Sequence, residues 1–241
     1  MKTHRFFVEQ LLEGKDEIRI TEQAIIHQMR DVLRLRVGDP VILLDGTGIE
    51  YHGRVKILIK KESIISKEKI KSFSNNSKIS KIKVHLFASL IKKDKFEWVL
   101  QKATEIGVSR ITPVISSRTE KQKLNMERAD KIVREASEQS ERLDIPFLDE
   151  PVDLYDAIQV AKRDANKNIL IALDMDAPLI DVRKIREDGG NVFVFIGPEG
   201  GWDEKDKRMF EQEKVCFMSL GESVLRAETA SVSISSLLLL G

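Results

Sequence analysis

The chain predicts an α/β protein in two parts: a small β-barrel over residues 1–72, then a mostly parallel sheet flanked by helices over residues 73–241. Three observations carry that reading. Short strand-like runs with a single helical pattern fill the first part. Beyond residue 81 strands alternate with helices, as right-handed βαβ units require. Two of the later runs, Ile169-Leu170-Ile171-Ala172-Leu173 and Val192-Phe193-Val194-Phe195-Ile196, are apolar throughout, as strands covered on both faces should be.

In order, residues 5–9 and 40–45 read as strands, the second ended by the turn pair Asp45-Gly46. Residues 48–59 read as the paired strand. Between them 22–35 reads as a short helix, with Ile25, Ile26, Met29, Val32 and Leu33 on one side. Residues 60–83 are rich in Lys, Ser, Ile and Asn, and 72–77 is the expected linker. The later strands are expected at 83–90, 110–116, 168–173, 191–196 and 215–220. The helices are expected at 94–106, 127–142, 154–163, 204–212 and 228–240.

Of the 241 residues, 41% are hydrophobic and 33% charged, a composition with a real core. Residues 1–15 lack the apolar core of a signal peptide, and the late apolar run Leu237–Leu240 is far too short to span a bilayer. The single cysteine, Cys216, can form neither an internal disulfide nor a zinc cluster, and reads as a buried thiol in a reducing cytosol. His4, His27, His52 and His85 have no ligand spacing, so no metal is expected. His85 reads as a satisfied core or edge residue, and Trp98 as a core or dimer contact. The net charge is +1, but residues 72–123 carry eleven basic against four acidic side chains. Such a stretch suits a phosphate-facing surface, or equally a solvated lysine-rich face.

Two segments carry candidate chemistry. Gly197-Pro198-Glu199-Gly200-Gly201 follows one apolar run. An ordinary strand-to-helix turn needs one glycine; three let the backbone take φ > 0 and approach a ligand closely. Leu220-Gly221-Glu222-Ser223-Val224-Leu225-Arg226-Ala227-Glu228-Thr229-Ala230 follows another. There Leu220, Val224 and Leu225 can wall a flat ring, while Glu228 or Thr229 can cap the following helix. Read singly, this second loop is slightly better explained by a plain capped helix with a salt-bridging arginine. The dinucleotide fingerprint and the Walker A pattern are both absent. Two such loops from two strand ends can build one small-molecule site.

Taken together, these motifs resemble the C-terminal signature of the ribosomal RNA small-subunit methyltransferase E family, within the SPOUT superfamily. The likeness extends along almost the whole chain. His4-Arg5-Phe6-Phe7, His27, Val32-Leu33-Arg34 and Gly38-Asp39 match its first blocks. Lys93, Lys102-Ala103-Thr104-Glu105-Ile106-Gly107-Val108 and Arg118 match its middle, and Glu135-Ala136-Ser137-Glu138-Gln139-Ser140 with Arg142 and Pro146 the block after. Ile106 stands where leucine is common and Trp202 where phenylalanine is common.

The resemblance implies a PUA-like RNA-binding barrel over 1–72 and a trefoil-knotted SPOUT methyltransferase domain over 73–241. It implies a cytoplasmic homodimer that uses S-adenosyl-L-methionine, without a metal, to methylate N3 of a uridine in 16S ribosomal RNA of the small subunit. The expected cofactor residues are Leu173, Ile196, Gly197, Gly200, Gly201, Ser219, Leu220, Gly221, Val224, Leu225, Arg226, Glu228 and Thr229. Arg226 is expected to stabilise charge on a uracil oxygen, with Glu105, Glu199 and Glu228 as candidates to orient the base or accept its proton. Arg5, Arg34, Arg36, Lys92, Lys93, Lys95 and Arg118 are the expected phosphate contacts.

Overall fold

The computed structural model describes residues 3–72, 82–120, 123–163 and 168–241. It is a mixed α/β fold whose described residues form two units. The first takes the chain before residue 73 together with Ser137–Ile145; the second takes the remainder. The expected linker, past Ser72, lies outside the described residues.

The first unit holds β1 (His4–Phe7), β2 (Glu17–Ile20), α1 (Gln23–His27), β3 (Pro40–Leu44), β4 (Ile49–Leu58) and β5 (Ser63–Ser72). The helix continues into one wider π-helical turn, Gln28–Val32. The sheet order is β1-β3-β4-β5-β2; β1 and β3 run parallel and the other pairs antiparallel. Successive strand residues face opposite ways, so Phe6 and Leu43 enter one core with Tyr51, Val55 and Ile65. Phe7, Ile42 and Leu44 face the other side, where Leu143 and Ile145 pack on them. Glu138 secures this segment, accepting from the Phe7 amide at 3.4 Å and from Gln28 Nε2 at 3.2 Å.

The second unit holds β6 (Ile82–Ser89), α2 (Lys93–Ile106), β7 (Arg110–Ile115), α3 (Met126–Gln139) up to Ala136, β8 (Phe147–Leu148), β9 (Val152–Asp153) and α4 (Leu154–Arg163); the end of α3, from Ser137, belongs to the first unit. It continues with β10 (Asn168–Leu173), α5 (Val182–Asp188), β11 (Gly190–Ile196), α6 (Glu204–Gln212), β12 (Cys216–Met218) and α7 (Ala227–Leu239). The sheet order is β12-β10-β11-β6-β7-β8, with β9 also on β7, and every pair is parallel. Gly107, at φ 110°, ends α2, and Asp203 opens α6 with a capping box. Among the described residues, no helix is long and apolar enough to cross a membrane.

Several expectations change. β2, β5, α5, β8 and β9 were not visible in the pattern. β5 lies where lysine-rich composition suggested a connection, yet Ile65 in it is fully buried and its backbone pairs on both sides. Cys216 is exposed, not buried, because β12 is a three-residue edge strand. Trp98 is 40% exposed and so is not core. Phe96, Val99, Leu100 and Ala103 form the inward stripe of α2, and position 98 falls on its opposite side. Arg226 occupies the N-cap of α7 with no side-chain cap bond, and Glu228, in the first turn, accepts from its own backbone amide.

His85 on β6 is buried, stacks on Phe87 at 4.0 Å and bonds Thr112 Oγ1 at 2.7 Å. Burial, reinforced by the Arg110 guanidinium and opposed by Asp149, pushes its pKa down to about 3. A depressed histidine pKa favours the neutral folded form. Its stabilisation is whole above the unfolded pKa of ~6.5 and is lost as pH falls towards 3. Stability should therefore fall between pH 6.5 and 4 with a slope approaching ~1.4 kcal/mol per pH unit from this group. His85→Gln, which cannot ionise, should flatten that slope in thermal melts.

Candidate functional site

The site grows from strand order. β12, β10 and β11 are neighbours and parallel, so their carboxyl ends lie along one sheet edge. The chain leaving each strand lines one cavity of about 500 Å³. Asp174–Asp176 follow β10, Gly197–Trp202 follow β11, and Ser219–Gly221 with Ser223–Ala227 follow β12. The second and third stretches anchor on the first and its continuation. The Asp174 amide donates to Met218 O at 3.0 Å, and Ser219 exchanges backbone bonds with Pro178 and Ile180.

The glycine loop has a defined shape. The Gly201 amide donates to Pro198 O at 2.8 Å, closing a turn, and Gly201 sits at φ 67°. A Cβ on Gly197 would lie 3.2 Å from the Trp202 ring. Trp202 is buried, meets Phe210 edge-on at 4.9 Å and donates from Nε1 to Leu173 O at 3.0 Å. That bond ties the loop after β11 to the end of β10. Across the cavity Gly221 takes φ 129°, and Val224 is left 80% exposed.

Three carboxylates, Asp174, Asp176 and Glu199, and two cations, Lys207 and Arg226, line this cavity. Lys207 Nζ stands 2.8 Å from Asp174 Oδ2. Burial pushes the Asp174 carboxyl up, but the Lys207 ammonium and the Asp176 amide outweigh it and leave the pKa below its ordinary value. Just outside the lining, Lys95 Nζ approaches Glu228 Oε1 at 2.6 Å. Burial there is likewise outweighed by Lys95, and Glu228 is held below its ordinary value. Among the described residues no group of three His, Cys, Asp or Glu side chains could hold a metal ion.

Comparison with known proteins matches this chain to a family. The family model described as an RNA methyltransferase domain covers residues 78–239, and one described as an RNA methyltransferase PUA domain covers residues 20–68. Ribosomal RNA small subunit methyltransferase E of Bacillus subtilis is 30% identical over 248 residues, spanning 94% of this chain and 92% of that protein. The chain belongs to the ribosomal RNA small subunit methyltransferase E family. Its counterpart in Rickettsia conorii is 29% identical over 100% of this chain and 97% of its own length. The Neisseria gonorrhoeae member, solved bound to S-adenosyl methionine, superimposes with a TM-score of 0.85 at 26% identity, covering 98% of this chain and 96% of that one.

Of the cofactor residues expected from sequence, all but Glu228 and Thr229 line the cavity. Those two lie in the first turn of α7 instead. Of the expected catalytic residues, Arg226 and Glu199 line it; Glu105 pairs with Lys102 at 2.9 Å on α2 and does not. The expected phosphate contacts divide. Arg5 is 12% exposed and pairs with Glu50 at 2.6 Å, Lys95 pairs with Glu228, and Arg118 Nη1 donates to Gly200 O at 2.6 Å. Arg34, Arg36, Lys92 and Lys93 are exposed. The family resemblance also points to the loop after Leu173 as a cofactor loop, without singling out Asp174 or Asp176 in it; Trp202 and Lys207 were missed as site residues. Asp174 directly follows a predicted strand end and was findable. Lys207 reaches the cavity from α6, and no local pattern marks it.

The two adjacent glycines should tolerate substitution differently. Gly201 needs positive φ, which costs an alanine roughly 1–2 kcal/mol. At Gly200 an added Cβ meets only the flexible Arg118 side chain, at 3.4 Å. Urea unfolding of Gly201→Ala should show the loss, and Gly200→Ala should stay within about 0.5 kcal/mol of the parent.

Proposed function

We propose that this chain transfers a methyl group from S-adenosyl-L-methionine to N3 of a uridine in 16S ribosomal RNA of the small subunit. One observation carries the reading: three adjacent strand ends bring two glycine-bearing loops and Arg226 around a single cavity. The donor is a cation with a flat purine ring, and the cavity suits both. Carboxylates outnumber cations in its lining, and Leu173, Ile196, Leu220 and Leu225 supply apolar wall. The family match and the donor-bound Neisseria relative support the same reading.

Backbone groups at Leu220, Val224 and Leu225 hold the adenine, while Gly197, Gly200 and Gly201 admit the ribose and methionine portions. Bound there, S-adenosylmethionine supplies an electrophilic methyl group and needs no metal. The remaining work is the base's. N3 of uracil carries a proton at neutral pH, and its lone pair is a poor nucleophile until that proton leaves. Arg226, exposed at the cavity rim, donates to a uracil oxygen and stabilises the anion. Glu199 on the same lining accepts the proton. Glu228, held ionised by Lys95, orients the first turn of α7 instead.

The same reading takes residues 1–72, with Ser137–Ile145, as a PUA-like barrel that grips RNA. It takes the rest as a trefoil-knotted domain in a cytoplasmic homodimer. The PUA-type family match over residues 20–68 supports the first, and the bare Val224 and Leu225 beside the cavity suit cover by a second copy.

Mapping N3-methyluridine in 16S RNA from cells with and without the gene tests the reaction; an unchanged map overturns it. Arg226→Ala should abolish labelled-methyl incorporation while titration calorimetry finds donor affinity nearly unchanged. Near-normal turnover would remove Arg226 from its role. With about four phosphate contacts, from Arg34, Arg36, Lys92 and Lys93, RNA affinity should fall with salt at a log–log slope of roughly −3.

A further inference from the structure

Arg118 lies in a basic stretch and reads, from sequence, as a phosphate contact. Its surroundings say otherwise. β7 ends at Ile115, and the next residues form a tight turn: the Thr119 amide donates to Ser116 O at 3.0 Å, and the Ser116 amide to Thr119 Oγ1 at 2.9 Å. Ser117 fixes that turn to α6, donating from its amide at 3.3 Å and from Oγ at 2.7 Å to Asp206 Oδ1. Asp206 is buried and belongs to the capping box that opens α6. The platform under Arg118 is therefore rigid, and it is bonded to the helix that the glycine loop leads into.

From that platform Arg118 reaches the loop itself. Nη1 donates to Gly200 O at 2.6 Å, and Cδ lies 3.4 Å from where a Gly200 Cβ would stand. Glu199 and Gly200 are exposed. Among the described residues, apart from the turn bond between Gly201 and Pro198, this is the hydrogen bond that holds the exposed part of the loop.

We propose that Arg118 is a positioning residue for the donor loop. It clamps the Gly200 carbonyl and so keeps the loop in the conformation that takes the methyl donor. The proposal rests on the donor-site reading above. Without the clamp the loop populates other conformations, and apparent donor affinity falls by the fraction of competent loop. A lost hydrogen bond to a charged group is worth about tenfold in affinity.

The test uses the full chain and S-adenosylmethionine alone, without RNA. Arg118→Ala should weaken calorimetric donor binding about tenfold, and Arg118→Lys, which can still donate to the carbonyl, should recover most of it. Steady-state assays should show KM for the donor raised, with kcat near the parent value at saturating donor. The salt slope of RNA binding should not change. Amide exchange at Gly201 should quicken in Arg118→Ala with no donor present. Should that variant fail to fold, Ser117→Ala, which loosens the platform, should move the same readouts less far. Donor affinity within twofold of the parent, or a salt slope shallower by about one with donor binding intact, overturns the clamp and makes Arg118 a phosphate contact. If the parent chain binds no donor, the donor-site reading fails instead, and exchange at Gly201 still reports on the clamp.

Discussion

The second unit depends on one continuous aromatic contact chain that runs from its interior to the cavity. Phe87 of β6 stacks on Phe195 of β11 at 4.5 Å, Phe195 meets Phe210 of α6 at 5.3 Å, and Phe210 meets Trp202 at 4.9 Å. Each such pair contributes about 0.5–1.5 kcal/mol beyond the area it buries. The more important consequence is geometric. Trp202 is at once the end of this core and the wall of the cavity, and its Nε1 holds Leu173 O. The loop after β11 is thereby fixed by the same packing that fixes the sheet. A binding surface made mainly of backbone needs that support, because glycine brings no side chain of its own to hold a shape.

Much of this was legible in the sequence, for identifiable reasons. α4, α6 and β10 fall on their predicted bounds, because each has strong periodicity or a continuous apolar run between polar ends. β5 was hidden by its lysines. α5 buries one residue, Ile185, which is too little signal for a periodic test. The capture of Ser137–Ile145 by the first unit is a long-range event. Nothing near Leu143 and Ile145 indicates that Phe7 and Leu44 will receive them. The cavity divides in the same way. Residues in the strand-end loops were readable because loops after parallel strands must gather at one edge. Lys207, arriving from a helix, depended on tertiary packing.

Trp202 illustrates how a family-level expectation can understate a residue. It appeared as a mere replacement of phenylalanine. In the fold its ring does what a phenylalanine would do against Phe210, and its N–H adds the bond to Leu173 that phenylalanine cannot make. The ring also sets the limit at Gly197, where any Cβ would press on it at 3.2 Å. The tight spacing of residues 197 and 202 is thus one packing constraint seen from two sides.

Charge placement separates roles that composition could not. Asp174 and Glu228 each sit against a lysine, and each is held below its ordinary pKa despite burial. A carboxylate so stabilised stays ionised at neutral pH and is a weak proton acceptor. Asp174 therefore suits an electrostatic role towards a cationic ligand, and Glu228 a structural one at the start of α7. Arg226 and Glu199 line the same cavity, and neither side chain makes a hydrogen bond among the described residues. Groups already bonded to one another must break those bonds before serving a substrate. These two need not, which is why the proposed chemistry at a uracil ring is assigned to them and not to their better-partnered neighbours.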